Sequence, residues 1–288
     1  MERSLTLTAP AKVNIGLDVL RRRPDGYHEV SMIMQTLTLC DYVRLTPAES
    51  GLMLTINRSD LPTDEGNIAF RAAQLLEKEV GRALSVHIDI EKHIPVAAGL
   101  AGGSTDAAAV LLGMNTLFRL GIPMDRLLAL GKTLGADVPY CMMQGTALSE
   151  GIGEKLTRLS AMPACHVILA KPAASVSTKE VYEALTLNEA TAHPDIPGMT
   201  EAIRKRDLPA LARRMGNLLE TVTIPRHPEI QRIKEHLTAL GSLHAMMSGS
   251  GPTVFALFPD KMNAESAYEA MQSDPDAKEV ILTEIFNP

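Results

Sequence analysis

From Pro95 to Asn115 the chain reads PVAAGLAGGSTDAAAVLLGMN, a glycine-rich turn running directly into an alanine-rich helix. Successive glycines let backbone N–H groups converge, and a helix N-terminus adds partial positive charge, so a turn of this kind can hold an anion. The two widespread nucleotide folds built on that principle do not fit. A P-loop needs GxxxxGK followed by Ser or Thr, and here Gly103 is followed directly by Ser104 with no lysine. A dinucleotide fold needs GxGxxG after a strand, and Gly99-Leu-Ala-Gly-Gly lacks that spacing. From these residues alone the segment is either a phosphate cradle or a plain turn.

The flanking sequence sets the fold class. SLTLTAPAKVNIGLDVL and MIMQTLTLCDYVRLTP alternate apolar and polar residues, which predicts antiparallel strands joined by RRRPDGYHEV. LMLTIN and LSVHIDIEKHIP continue the pattern, with NIAFRAAQLLEKEVG between them as a helix ending at Gly81. Ser104, Thr105 and Asp106 are expected to cap a helix through AAAVLLGMNTLFRL, which Gly121 and Pro123 end. MDRLLALGKTLG predicts another helix, whereas ADVPYCMMQGTALSEGIGEKL carries too much glycine to be one regular element. Further on, SLHAMMSGSGPTVFALFPD predicts a second glycine turn entering a strand, and AESAYEAMQ a helix. Strands and helices mix without strict alternation, so the expected class is α+β. A length of 288 residues suits two domains. A change of composition around RLSAMPACHVILAKPAASVSTKE puts their boundary near Leu156, giving 1–155 and 156–288.

Charge and cysteine usage exclude several function classes. A net charge of -6 argues against a general nucleic-acid binder, which needs a cationic face. The three cysteines, Cys40, Cys141 and Cys165, form no CxxC pair, so neither a disulfide framework nor a zinc site is expected. No run approaches the roughly 20 apolar residues of a membrane span, and the charged, alternating start does not read as a signal peptide. The expected setting is the reducing cytoplasm.

PAKVNIGL, GLAGGSTDAA and SGSGPT occur in that order, near the start, in the middle and toward the end. Together they resemble the three signature motifs of the GHMP small-molecule kinases. The resemblance implies a two-domain α+β fold with its active site in the interdomain cleft, and ATP with Mg2+ as cofactors. PDGYHEV, NIAFRAAQLL, KHIPVAAGLAGGSTDAA, LGADVPYCMMQGTALSEGIGE and MSGSGPTVFALF look like one branch of that family, and they cover most of the chain. That branch phosphorylates the 2-hydroxyl of 4-diphosphocytidyl-2-C-methyl-D-erythritol on the non-mevalonate route to isoprenoid precursors. The implied partner is therefore a small molecule carrying a cytidine diphosphate group, with no nucleic acid and no membrane.

By the same resemblance, Gly99, Leu100, Ala101, Gly102, Gly103 and Ser104 wrap the ATP phosphates, Pro95 and Thr105 also bind the nucleotide, and Asn67 and Lys92 lie near the adenosine. On the residues alone, Asn67 is equally a helix cap and Lys92 a solvated surface lysine. Asp137 in LGADVP is implied as the base and Lys12 in PAKVN as the cation that orients the acceptor hydroxyl. Without the family they read as a turn residue and a salt-bridged strand lysine. Asn14 shares the strand face of Lys12, because side chains alternate. Tyr27 and His28 are implied to grip the cytosine by stacking and hydrogen bonding, with Tyr182 closing the sandwich. Alternatively the three are a loop tyrosine, a structural histidine and a helix-packing tyrosine. The SGSG turn, Ser248 to Gly251, is expected to be structural, and Arg21, Arg22 and Arg23 to be a solvated hairpin end. Ser104 or Thr105 is a candidate oxygen for magnesium, and Glu150 a weak one. Where this chain has Ala101 the family often has a third glycine, and alanine suits the pattern if its φ is negative. Two competing functions remain: a family kinase acting on mevalonate or homoserine, and a catalytically silent nucleotide or sugar sensor.

Overall fold

A computed structural model describes residues 4–188 and 191–288. The chain forms two compact units that interleave along the sequence. The first holds residues up to Ala11, Leu39–Val96 and Ala101–Met143; the second holds Lys12–Thr38, Ala97–Leu100 and Gln144–Pro288. Composition predicts a single cut near Leu156, and the units depart from it for a simple reason. The first two strands, β1 (Leu5–Arg22) and β2 (His28–Pro47), are long enough that each contributes residues to both units. They pair with one another, as the alternation predicts.

In the first unit the chain continues through β3 (Leu52–Ile56), α1 (Ile68–Val80), β4 (Val86–Glu91), α2 (Gly102–Leu117), α3 (Met124–Leu134) and α4 (Val138–Met143). Tyr42–Pro47 of β2 pairs antiparallel with β4, which pairs parallel with β3. Val86, Ile88 and Ile90 are buried and alternate with less buried His87 and Asp89, the period of two that defines a strand face. Helix α1 buries Ala69, Ala72, Ala73 and Leu76, a spacing that lines one helical stripe. Asn67 caps its start and Gly81, at φ +67°, ends it. Helix α2 has almost no polar face: Thr105 through Leu111 are all buried, and α1, α3 and α4 pack on it. Its Gly113 permits close approach to the strands, because an added Cβ would lie 2.5 Å from Leu45 Cδ1 and 2.6 Å from Leu7 Cδ1.

One expectation about α2 is corrected. The helix begins at Gly102, so Ser104, Thr105 and Asp106 lie inside it and do not cap it. The N-cap position falls to Ala101, which makes no side-chain cap bond.

The second unit adds β5 (Thr146–Gly151), β6 (Lys155–Arg158), β7 (His166–Lys171), α5 (Thr178–Ala184), α6 (Ile196–Arg204), α7 (Leu208–Ala212), α8 (Glu220–Arg226), α9 (Glu229–Ala239), β8 (His244–Met247), β9 (Val254–Phe258), α10 (Lys261–Met271) and β10 (Glu279–Glu284). Val30–Gln35 of β2 pairs antiparallel with β5, which forms a hairpin with β6. The glycine-rich segment after Asp137 thus resolves into α4, β5 and β6 rather than one element. A separate antiparallel sheet runs in the order β10-β7-β9-β8. Its inner strand β9, VFALF, is buried throughout, and α9 and α10 cover the sheet. The core joins Leu17 and Val19 of β1 to Ile168, Ile230, Phe258 and Met271. No disulfide forms, and burial pushes the Cys165 thiol up to about 12, leaving it protonated at neutral pH. Among the described residues no helix is long and apolar enough to cross a membrane.

Candidate active site

The glycine turn alternates in hand. Ala97, Gly99 and Ala101 have φ of +51°, +73° and +60°, with the intervening residues outside the left-handed region. Such alternation turns successive N–H groups to one side and makes a concavity suited to an anion, which then meets the start of α2. The negative φ expected of Ala101 is therefore corrected: the turn requires the left-handed state there, at a cost of roughly 1–2 kcal/mol for a residue with a Cβ. Gly99, Leu100 and their neighbours down to Ala97 count with the second unit. There the Ser248 hydroxyl donates to the Gly99 carbonyl at 3.0 Å, and a Cβ on Gly99 would lie 2.3 Å from the Ser248 carbonyl oxygen.

In the first unit, Gly102, Gly103, Ser104 and Thr105 form the opening of α2, and Pro95 is buried ahead of the turn. Thr105 Oγ1 and Asp106 Oδ1 are buried without a hydrogen-bond partner. The Lys92 side chain is only 5% exposed, which removes the surface-lysine alternative. Its Nζ is engaged by Asp41 and, at 2.7 Å, by Asp106 Oδ2. Burial pushes Asp106 up to about 8, with Lys92 pulling it down and Asp41 pushing it further up. The Asn67 amide is engaged locally: Oδ1 accepts from Ala69 N at 2.9 Å, and Nδ2 donates to the Pro62 carbonyl at 2.9 Å. Asp137 is half-buried at the start of α4, where its carbonyl accepts from Cys141 N at 3.0 Å. The turn that carries it lies by the first turn of α2, since a Cβ on Gly135 would be 3.8 Å from Ser104 Oγ. Asp137 and Ser104 are thus held in one unit by the apolar anchoring of α4, whose Val138 to Met142 are buried.

In the second unit, Lys12 and Asn14 are 4% and 1% exposed on one face of β1. Lys12 Nζ donates to Asn14 Oδ1 at 2.7 Å, and the Lys12 amide donates to the Leu100 carbonyl at 3.1 Å. The 248–251 turn abuts them: a Cβ on Gly249 would be 3.4 Å from Asn14 Oδ1 and 3.8 Å from Lys12 Nζ. A compact buried ammonium with a neutral amide among its partners suits an anionic oxygen.

The hairpin between β1 and β2 closes through Arg23 and Tyr27, with Arg23 paired to Asp25 and Arg21 to Glu29 at the exposed end. Tyr27 is 62% exposed. His28 and Tyr182 meet with ring centroids 5.3 Å apart and planes at 39°. Rings in direct contact leave no slot between them, so a base joins this pair from an outer face or after the rings part. Burial, then the Arg22 charge, lowers the His28 pKa, so the ring is neutral at pH 7 and can both donate and accept. Glu150 is exposed on β5.

Two residues escape the sequence reading. Asp41 is fully buried on β2, and its only sequence signal is parity, since it shares the inward face of Val43 and Leu45. Asn217 donates to the carbonyls of Met247 and Gly249 at 2.8 and 2.7 Å and so shapes the second glycine turn, a role no local motif announces.

Residues 67–145 match the GHMP kinases N terminal domain, and residues 199–277 match GHMP kinases C terminal. A Lachnospira eligens protein named 4-diphosphocytidyl-2-C-methyl-D-erythritol kinase is 49% identical over 286 residues, covering 99% of each chain. The protein of that name from Lachnoclostridium phytofermentans is 50% identical, over 98% of this chain and 97% of its own. A crystal structure of 4-(cytidine 5'-diphospho)-2C-methyl-D-erythritol kinase matches with TM-score 0.85 and 33% identity over 99% of this chain and 100% of that one. Homoserine kinase from Cytophaga hutchinsonii matches with TM-score 0.80 over 100% of this chain and 96% of that one, but at 21% identity it shares the fold alone.

Proposed function

This chain belongs to the GHMP kinases, and on that premise we propose that it transfers the γ-phosphoryl group of ATP to the 2-hydroxyl of 4-diphosphocytidyl-2-C-methyl-D-erythritol. The products are the 2-phosphate and ADP. One observation carries the choice of acceptor: relatives named for this substrate are 45–50% identical over nearly the whole chain, whereas a homoserine kinase of the same fold is 21% identical.

Phosphoryl transfer asks for positioning and charge stabilisation more than for covalent chemistry. In this reading the N–H groups of the alternating turn and of the α2 N-terminus hold the ATP phosphates, with Gly99 through Thr105 as the cradle. Asn67 and Lys92 shape the adenosine side from α1 and the end of β4. Lys12, fixed by Asn14, orients the acceptor hydroxyl and steadies the charge that develops on it. Asp137 accepts the hydroxyl proton as the new P–O bond forms. Tyr27, His28 and Tyr182 recognise the cytosine by stacking and by the neutral imidazole edge.

Among the described residues no cluster of three His, Cys, Asp or Glu could hold a metal by itself. The donor set fits a magnesium ion carried mainly by nucleotide oxygens, for which Thr105 Oγ1, buried without a partner, and Ser104 are the protein oxygens. Such an ion neutralises the phosphates and draws charge from the transferring group.

The test is ADP release with ATP, magnesium and the cytidylyl acceptor, run beside mevalonate, homoserine and Asp137→Ala. Turnover with the cytidylyl acceptor alone, lost in Asp137→Ala, is the expected result. Turnover only with another alcohol keeps the kinase and returns Tyr27, His28 and Tyr182 to structural roles. ATP binding without turnover on any alcohol favours a sensor.

A further inference from the structure

The buried carboxylates of Asp41 and Asp106 take no part in the chemistry proposed above, yet they hold the Lys92 ammonium between them. None of the three side chains is more than 5% exposed. Asp41 acts on the entry side of the glycine turn, where Oδ1 accepts the His93 and Ile94 amides at 2.6 and 2.8 Å and Oδ2 takes Lys92 Nζ. Asp106 acts on the exit side, inside α2, with Oδ2 on Lys92 Nζ at 2.7 Å. The same ammonium lies against Gly102, where an added Cβ would be 3.1 Å away. One cation therefore ties the end of a strand to the start of a helix, fixing both residues that enter the turn and residues that leave it.

We propose that Asp41 and Asp106, acting through Lys92, are positioning residues that set the geometry of the phosphate turn and thereby the affinity for nucleotide. The inference rests on reading that turn as the ATP phosphate site.

The experiment is a direct titration of the full chain with ATP and Mg2+, without acceptor, at pH 7, for wild type, Asp41→Asn and Asp106→Asn, with steady-state KM values for the acceptor beside it. Both variants are expected to weaken ATP binding about tenfold through misplacement of the turn, with the KM of the acceptor unmoved. A folded variant with wild-type ATP affinity overturns the proposal, as does an equal rise in the KM of the acceptor. If Asp41→Asn does not fold, Asp106→Asn decides alone. A wrong acceptor assignment changes none of these binding results, whereas a wild type that binds no ATP overturns the phosphate-turn reading and this inference with it.

Discussion

The hydroxyl of Ser248 donates to the carbonyl of Gly99 at 3.0 Å, while the carbonyl of the same serine occupies the space a side chain on Gly99 would need. Gly99 is also left-handed, at φ +73°. Gly99→Ala therefore meets two penalties, overpacking of about 1–3 kcal/mol and the cost of a Cβ at positive φ. A drop of several degrees in melting temperature, with a raised KM for ATP, is the expected outcome; calorimetry and initial rates measure both. A variant that melts like wild type contradicts the close approach.

Ala101 has the same backbone state with the opposite substitution available. Ala101→Gly relieves a strained φ of +60° and is expected to stabilise by about 1 kcal/mol, offset in part by the freer unfolded chain. That corresponds to a melting temperature higher by roughly 2 °C. Calorimetry checks the sign, and a variant that melts below wild type contradicts strain at this position.

Lys12 offers a test of charge rather than shape. Lys12→Met keeps the backbone bond to Leu100 and most of the buried volume, and removes only the ammonium held by Asn14. Its kcat is expected to fall about 10²–10³-fold, the range for loss of one preorganised charge-stabilising donor, with ATP affinity changed far less. Arginine is not expected to rescue it, because a planar fork does not fit a slot built for a point charge. A proportionate loss of ATP binding instead assigns Lys12 to the nucleotide.

His28 predicts the acid limb of acceptor binding. Its folded pKa is lowered, first by burial and then by Arg22, so the neutral ring persists below the ordinary imidazole range. The acceptor KM is expected to stay flat from pH 8 down through 6.5 and to rise only further into acid. For stability the sign is the same: the unfolded chain binds the extra proton first, so the contribution of His28 is present at high pH and fades as pH falls. An acceptor KM that already rises above pH 6.5 argues that another group reads the base.

Periodicity made most elements legible. The alternation of β4, the Ala69, Ala72, Ala73, Leu76 stripe of α1 and the Gly81 stop are all visible in the letters, because each is decided by local burial and local backbone freedom. The start of α2 was not legible, since capping residues signal a helix end only where side chains make the cap; here a left-handed alanine makes it, and no side-chain rule anticipates that. Candidate site residues carried by motifs, Lys12 and Gly99 among them, can be picked out from their neighbours. The ion cluster of Lys92 with Asp41 and Asp106 cannot, because it joins residues far apart in the chain, and in the letters Lys92 reads as a surface lysine and Asp106 as a helix cap. The interleaving of the two units is hidden for a related reason: composition is a running average, and two long strands that serve both units leave no step in it.

Those strands also constrain when the molecule can be finished. In the second unit Thr36 accepts the amide of Phe286, Gln35 donates to the carbonyl of that residue, and Leu37 bridges Ile285. Residues 35 to 37 therefore wait for partners some 250 positions later, and this unit cannot close until those have been made. Contacts of such sequence separation fold slowly, and until then the buried face of β2 is exposed to whatever else is in solution. Nascent chains should accordingly need protection until Ile285 and Phe286 have emerged, and removing those two residues should cost far more than trimming an ordinary loop.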